Sequence, residues 1–267
     1  LLLLGLFFSF SSTTSIMSDK MNKETYFFFI KHLIFVSLSL FLIFMISIQE
    51  KNKFIKILAY LFILSAALLF LTLIVGVEIK GSRRWLDFHP LPRFQPVELI
   101  KPLFVIFVAK IIVLNVKKDA YIRYFYSLII LLLIVTILIN QPDFGQTLLL
   151  ILTWITMIFV SGFNMIILSI LSLTFAITIG FLIFFLPEKF GYVFLRIKTF
   201  LDPGTGDNFQ SYKALEAIKQ GGLTGQGMGE GILKDEVPDA HTDYMIAVIS
   251  EEFGAIFVLF IVIIFLF

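Results

Sequence analysis

The run PDAHTDYMIAVISEEFG, residues 238–254, sets a polar segment directly against an apolar one. His241, Thr242 and Asp243 stand where a membrane segment should begin, and Glu251 and Glu252 follow inside it. Thr242 or Asp243 could cap the helix that starts here. Asp243 and Glu251, at i and i+8, share a helical face. A carboxylate desolvated at such a boundary has its pKa raised from about 3.9 toward neutrality, which suits a general base. On these residues alone, capping and general-base chemistry both stay open for Asp243.

Three further stretches carry candidate groups. In GSRRWLDFHPLPRFQPVELIKP, residues 81–102, Gln95 and Pro96 read as a helix start. Glu98 and Lys101 then fall at i and i+3 on one face, and Pro102 cannot donate to the Glu98 carbonyl, so that turn is opened. The pair could simply complement a helix N-terminus, yet ionisable groups inside a membrane span usually mark function. Arg83 and Arg84 beside Trp85 suit a phosphate clamp next to an interfacial aromatic, with an ordinary interfacial belt as the alternative. In NQPDFGQT, residues 140–147, Asp143 reads as a helix cap at the positive end of the helix dipole. GGLTGQGMGEG, residues 221–231, holds six glycines in eleven residues. It lacks both a preceding strand and G-x-x-x-x-G-K-[ST], so it is not a nucleotide loop. Its glycines read as sites of positive φ and close backbone approach in a re-entrant loop.

Eight apolar segments must position these groups: 1–16 (partial), 26–48, 56–77, 97–115, 124–140, 144–161, 164–187 and 243–267. A bilayer span needs about 20 apolar residues. A lipid-exposed backbone must satisfy its own hydrogen bonds, so all eight are expected to be helices. The fold class is therefore an all-α polytopic membrane protein, a helical bundle. Residues 1–267 are expected to form a single transmembrane domain, with 188–242 a long loop within it. Residues 211–220 read as a short amphipathic helix with Ala214, Leu215 and Ile218 on one face, ended by Gly221 and Gly222.

Composition agrees with a membrane protein. The chain is 59% hydrophobic and 15% charged, with a mean hydropathy of +0.99, where a soluble domain is about a quarter charged. A net charge of +2 argues against nucleic acid as a partner. The absence of cysteine excludes disulfides and thiolate chemistry, and three histidines make a zinc cluster a poor reading. The 33 phenylalanines read as lipid-facing bulk. The chain begins at Leu1 rather than Met and stops in an apolar run at Phe267, so a fragment is expected. Residues 1–16 lack the charged region of a signal peptide.

Span parity puts the short basic loops 49–55 and 116–123 on one side and the long loops 78–96 and 188–242 on the other. Lys51, Lys53, Lys56, Lys117, Lys118 and Arg123 balance Lys20, Lys23, Lys80, Arg83, Arg84 and Arg93, so the positive-inside rule gives no orientation. Loop 78–96 is too basic for an ordinary translocated loop, which points to an anionic ligand.

Four blocks in order resemble the SEDS family (shape, elongation, division and sporulation), which includes FtsW and RodA. Gly81, Arg83, Arg84 and Trp85 with Phe94-Gln95-Pro96 and Glu98 form the first, and Gln141-Pro142-Asp143-Phe144-Gly145 the second. Phe200-Leu201-Asp202-Pro203 with Gln210-Ser211, Ala217-Ile218 and the glycines that follow form the third, and Pro238, His241-Thr242-Asp243, Ala247-Val248-Ile249 and Glu251-Glu252 with Gly254 the fourth. Val97, Asp239 and Lys219-Gln220 depart from the family pattern. The stretches ILKDEVPDAHTDY and IKPLFV lean toward the division-type branch, FtsW.

The resemblance implies a SEDS-type fold of ten spans, of which about eight lie in this chain. It implies a peptidoglycan glycosyltransferase for septal cell-wall synthesis, polymerising lipid II in the bacterial cytoplasmic (inner) membrane with the long loops and active site facing outward. Asp243 takes the family's essential aspartate. Arg83, Arg84, Trp85, Gln95, Glu98, Lys101, His241 and Thr242 become the substrate-binding candidates, facing lipid II and the undecaprenyl-pyrophosphate-linked glycan. A class B penicillin-binding protein and other divisome membrane proteins are the implied partners. No resident cofactor is implied, and use of a divalent cation, magnesium or manganese, stays open. The other readings are a lipid-linked precursor flippase or a non-catalytic division scaffold.

Overall fold

The computed structural model describes residues 2–12, 26–79, 82–89, 93–114, 120–185, 191, 193–195, 197–198, 209–233, 236–237 and 244–266. The eight apolar segments all contain helices: α1 Leu2–Ser12, α2 Phe27–Ser47, α3 Lys51–Val75, α4 Pro96–Leu114, α5 Ala120–Asn140, α6 Phe144–Val160, α7 Met165–Phe185 and α9 Met245–Leu266, with α8 Phe209–Gly221 between the last two. Five of these, α2, α3, α5, α7 and α9, are long and apolar enough to cross a membrane, and α6 is a shorter apolar helix. The sequence and structure together make the chain a polytopic helical membrane protein. Helix α3 starts at Lys51, so most of the short basic loop expected at 49–55 is its first turn.

The loop expected at 78–96 contains a small hairpin. Strand β1, Val77–Ile79, pairs antiparallel with β2, Ser82–Trp85. Glu78 stands opposite Arg83 and Val77 opposite Trp85, with a bulge between Val77 and Glu78. Leu86 and Phe94 then exchange two backbone hydrogen bonds of 3.0 and 3.1 Å. These pairings lead the chain from the end of α3 to the start of α4.

The chain forms two compact units, Gln49–Lys198 and Leu1–Ile48 with Thr199–Phe267. In the first, Val97, Ile100, Phe104 and Val108 of α4 recur every three or four residues and are fully buried. They pack with Leu131, Ile134 and Leu138 of α5 and Leu150, Trp154 and Ile158 of α6. Lipid is as apolar as these side chains, so close packing rather than water exclusion joins the helices. Buried polar groups find partners. Trp154 Nε1 donates to Ser127 Oγ at 3.0 Å. Gln141, at the end of α5, donates to the Leu69 carbonyl at 3.0 Å and to the Thr72 hydroxyl, both in α3.

In the second unit, α8 packs along α9. The face that meets α9 is Ala214 and Ala217, both buried, while Leu215 and Ile218 remain exposed. Of the expected apolar face, Ala214 packs inward: small residues let two backbones approach, and the large Leu215 and Ile218 point outward. Helix α1 meets α9 through edge-on rings, with Phe8 against Phe253 and Phe257 at 5.5 Å each. Phenylalanines such as Phe41, Phe44, Phe70, Phe184 and Phe265 are exposed, as lipid-facing bulk should be.

Candidate functional site

Two polar constructions stand out among the described residues, one in each unit. The first lies where β2, the α5–α6 turn and the first turns of α4 and α6 meet. Asp143 ends the turn and caps α6. Its Oδ1 accepts a long hydrogen bond from the Gln146 amide at 3.5 Å, and its carbonyl accepts from the Thr147 hydroxyl at 2.7 Å. Its other oxygen, Oδ2, faces Arg84 Nε at 3.5 Å. Arg84 reaches this point from β2 and donates Nη2 to the Pro142 carbonyl at 2.8 Å. The Asp143 residue is only 3% exposed. Burial pushes its carboxyl above the usual carboxylate range, and the Arg84 guanidinium pulls it back in part.

Glu98 and Lys101 extend the cluster along α4. Lys101 Nζ lies 2.7 Å from Glu98 Oε2. Gln146 Nε2 approaches Glu98 Oε1 at 3.4 Å. The third residue of α6 thus joins the Asp143 cap to the Glu98–Lys101 pair. Asp143 also feels the charges of Glu98 and Lys101.

The structure sorts the sequence candidates. Arg84, Glu98 and Lys101 come together. Arg83 points elsewhere and pairs with Glu78 across the hairpin at 3.4 Å, with more than half of its side chain exposed. Trp85 and Gln95 are half-buried, and the Gln95 carbonyl accepts from the Glu98 amide at 3.1 Å. His241, Thr242 and Asp243 lie outside the described residues. Sequence reasoning left out Gln146 and favoured capping as the role of Asp143. The available signal was strand alternation, which places Arg84 on the opposite face from Arg83 and Trp85.

The second construction is a break in α9. Gly254 has φ +81° and ψ 172°, so the helix is interrupted there. A break in a membrane helix frees backbone groups that lipid cannot satisfy. The glycine-rich segment 221–231 satisfies them. Gln226 and Gly227 amides donate to the carbonyls of Glu251 and Glu252 at 2.9 and 3.0 Å. Beyond the break, the Ala255 and Ile256 amides donate to the carbonyls of Gly222 and Leu223 at 2.9 and 3.2 Å. Glycine is required for this approach: a Cβ on Gly225 would sit 2.2 Å from the Glu252 carbonyl oxygen. The segment therefore grips the protein's own backbone, as expected of a re-entrant loop. Glu251 Oε1 accepts from the Leu233 amide at 2.7 Å, and both glutamates are buried. Lys213 of α8 holds Glu236 at 2.8 Å and Glu216 at 3.1 Å, fastening the far end of the same loop.

The family model for cell cycle proteins of the FtsW/RodA/SpoVE type matches residues 1–267. This chain belongs to that family. Among similar proteins, the "probable peptidoglycan glycosyltransferase FtsW" of Haemophilus ducreyi is 33% identical over 276 residues, covering 100% of this chain and 67% of that protein. The FtsW of the same description from Aliivibrio salmonicida is 32% identical, covering 95% of this chain and 64% of that protein. The chain thus spans about two thirds of the length of these relatives. A solved chain from a peptidoglycan synthase complex that coordinates polymerization and crosslinking superposes with a TM-score of 0.70 at 22% identity, covering 97% of this chain and 70% of that one. The rod shape determining protein RodA of Thermus thermophilus gives 0.52 at 23% identity, over 66% of this chain and 55% of that one. These two likenesses show a shared fold. In this FtsW/RodA/SpoVE chain, Arg84, Glu98 and Asp143 of the first construction and Glu251, Glu252 and Gly254 of the second belong to the motifs that carry the SEDS resemblance.

Proposed function

We propose that this chain is part of a peptidoglycan glycosyltransferase of the FtsW type, which polymerises lipid II for septal wall synthesis. The observation that carries the reading is the family match over residues 1–267 together with relatives described as peptidoglycan glycosyltransferases. Asp243 serves as general base and takes the proton from the sugar 4-hydroxyl of the acceptor lipid II. That oxygen attacks the anomeric carbon of the growing strand, forming the new glycosidic bond with inversion. The bond from that carbon to phosphate breaks, and its electron pair leaves on undecaprenyl pyrophosphate. Inversion needs one base rather than a nucleophile paired with an acid. Arg84 and Lys101 supply positive charge where the pyrophosphate develops its own. Arg83, Trp85, Gln95, Glu98, His241 and Thr242 complete the substrate contacts. The site faces outward from the cytoplasmic membrane, and a class B penicillin-binding protein crosslinks the product alongside other divisome proteins.

The break at Gly254 favours a second reading, a lipid flippase, because transporters use discontinuous helices at their substrate sites. In transporters, the freed backbone groups face substrate or ions. Here Gln226, Gly227, Gly222 and Leu223 occupy four of them, which favours the enzyme. The complete protein in vesicles carrying lipid II separates the two readings. Glycan strands are expected; lipid II crossing the bilayer without strands would replace the enzyme with a flippase.

A further inference from the structure

Asp143 is more than a helix cap requires. Capping uses one side-chain oxygen, here Oδ1 toward the Gln146 amide. An asparagine or serine at the surface would do as much. Asp143 instead buries a second oxygen, Oδ2, which makes no hydrogen bond and faces Arg84 at 3.5 Å. Burying a charged oxygen is costly unless a counter-charge needs it. Arg84 is held at a second point as well, by the Pro142 carbonyl at 2.8 Å. Two of its nitrogens, Nε and Nη2, are thus directed into the α5–α6 turn. The guanidinium is planar and rigid, so two anchors fix the direction of its remaining nitrogen, Nη1. About a third of the Arg84 side chain stays exposed.

We propose that Asp143 is a positioning residue: its carboxylate, with the Pro142 carbonyl, holds the Arg84 guanidinium so that Arg84 presents its charge to the pyrophosphate of the lipid-linked substrate. The proposal rests on the polymerase reading for the identity of the anion, but not for the geometry. Gln146 continues the same arrangement. It takes its own place from the Asp143 cap and reaches Glu98, the partner of Lys101. A single residue at the start of α6 therefore orders the approach to both cations.

The test separates capping from positioning through Asp143→Asn. Asparagine keeps the side-chain carbonyl that caps Gln146 and loses the charge that faces Arg84. Two quantities are read on the complete protein: affinity for undecaprenyl pyrophosphate, and the split of KM and kcat for lipid II. Asp143→Asn is expected to weaken the affinity by about tenfold, the size of one charge-assisted contact, and to raise KM more than it lowers kcat. Its thermal stability should stay near wild type. Arg84→Ala is expected to show the same loss, and the double variant no further loss, because the two residues act as one unit. Arg84→Lys should not restore binding, since an ammonium cannot hold both anchors and still reach out.

Wild-type affinity in Asp143→Asn overturns the proposal and leaves Asp143 a cap. Losses that add in the double variant overturn it as well. A wild type that binds undecaprenyl pyrophosphate but forms no strands overturns the polymerase reading alone, and the variant affinities still decide the role of Asp143. A wild type that does not bind the pyrophosphate overturns the positioning proposal, because Arg84 would then present its charge to nothing.

Discussion

Asp143 uses its two carboxylate oxygens differently, and its response to pH follows from that. Burial dominates and raises its pKa above the usual 3.8. A carboxyl with a higher pKa folded than unfolded contributes stability that is complete below pH 3.8 and is lost as pH rises through the raised value. Asp143→Asn removes that loss. The variant should therefore equal or exceed wild type in thermal unfolding at about pH 8 and give up any advantage as the pH falls toward 3.8. A deficit that grows with pH would show that the ion pair, not burial, governs the site. Glu251 makes a different single-residue prediction. Its Oε1 receives the Leu233 amide, which lies next to the glycine-rich segment. Glu251→Ala strands that donor and should lower unfolding free energy by about 1–3 kcal/mol, while Glu251→Gln keeps an acceptor and should lose far less. Equal losses in the two variants would show that the Leu233 contact is not the source. The sequence displayed Arg84, the Glu98–Lys101 pair and Asp143 as separate candidates. It could not display the Arg84–Asp143 pair, because the partners lie far apart in the chain and meet only once the hairpin is formed. Asp243 stands on sequence alone.

The interrupted helix α9 and its glycine clamp belong together as one element. Gly225 and Gly254 both hold φ +81° and both would drive a Cβ against backbone, at 2.2 and 2.3 Å. Neither obstruction is a flexible side chain, so neither can yield cheaply. Gly225→Ala and Gly254→Ala should each reduce folded protein recovered from membranes severalfold or more and lower the midpoint of thermal unfolding. Gly180 lies in α7 with nothing near its missing Cβ. Gly180→Ala should instead be neutral or stabilising by about 0.5–1 kcal/mol, since alanine loses less backbone entropy in a helix. If all three behaved alike, glycine content rather than the clamp would be the controlling feature. The glycine run was legible as a close-approach loop. The inward face of α8 was not legible. The sequence put Ala214 on one face with Leu215 and Ile218, but packing decides which of them meets another helix, and there the small Ala214 and Ala217 face α9. The hairpin at 77–85 was missed because two strands of three and four residues leave too short an alternation to recognise.

Across the whole chain, the eight apolar segments were legible because a bilayer imposes one solution on the backbone: each segment closes its hydrogen bonds internally or does not insert. Helix ends shifted where basic residues joined the first turn, as at Lys51. Charge distribution alone gave no orientation, because the loop lysines and arginines balance six against six across the two sides. The proposed activity rests on the family match and on relatives described as peptidoglycan glycosyltransferases. That activity is tested most directly by lipid II polymerisation, using the complete protein reconstituted with the class B penicillin-binding protein proposed as its partner. Wild type and Asp243→Asn are compared in one preparation. Glycan strands are expected from wild type, with a fall of about 10²–10⁴-fold in the variant, the usual contribution of a general base. Equal polymerisation by both would contradict Asp243 as the base, and no strands from a wild type that binds lipid II would contradict the polymerase itself.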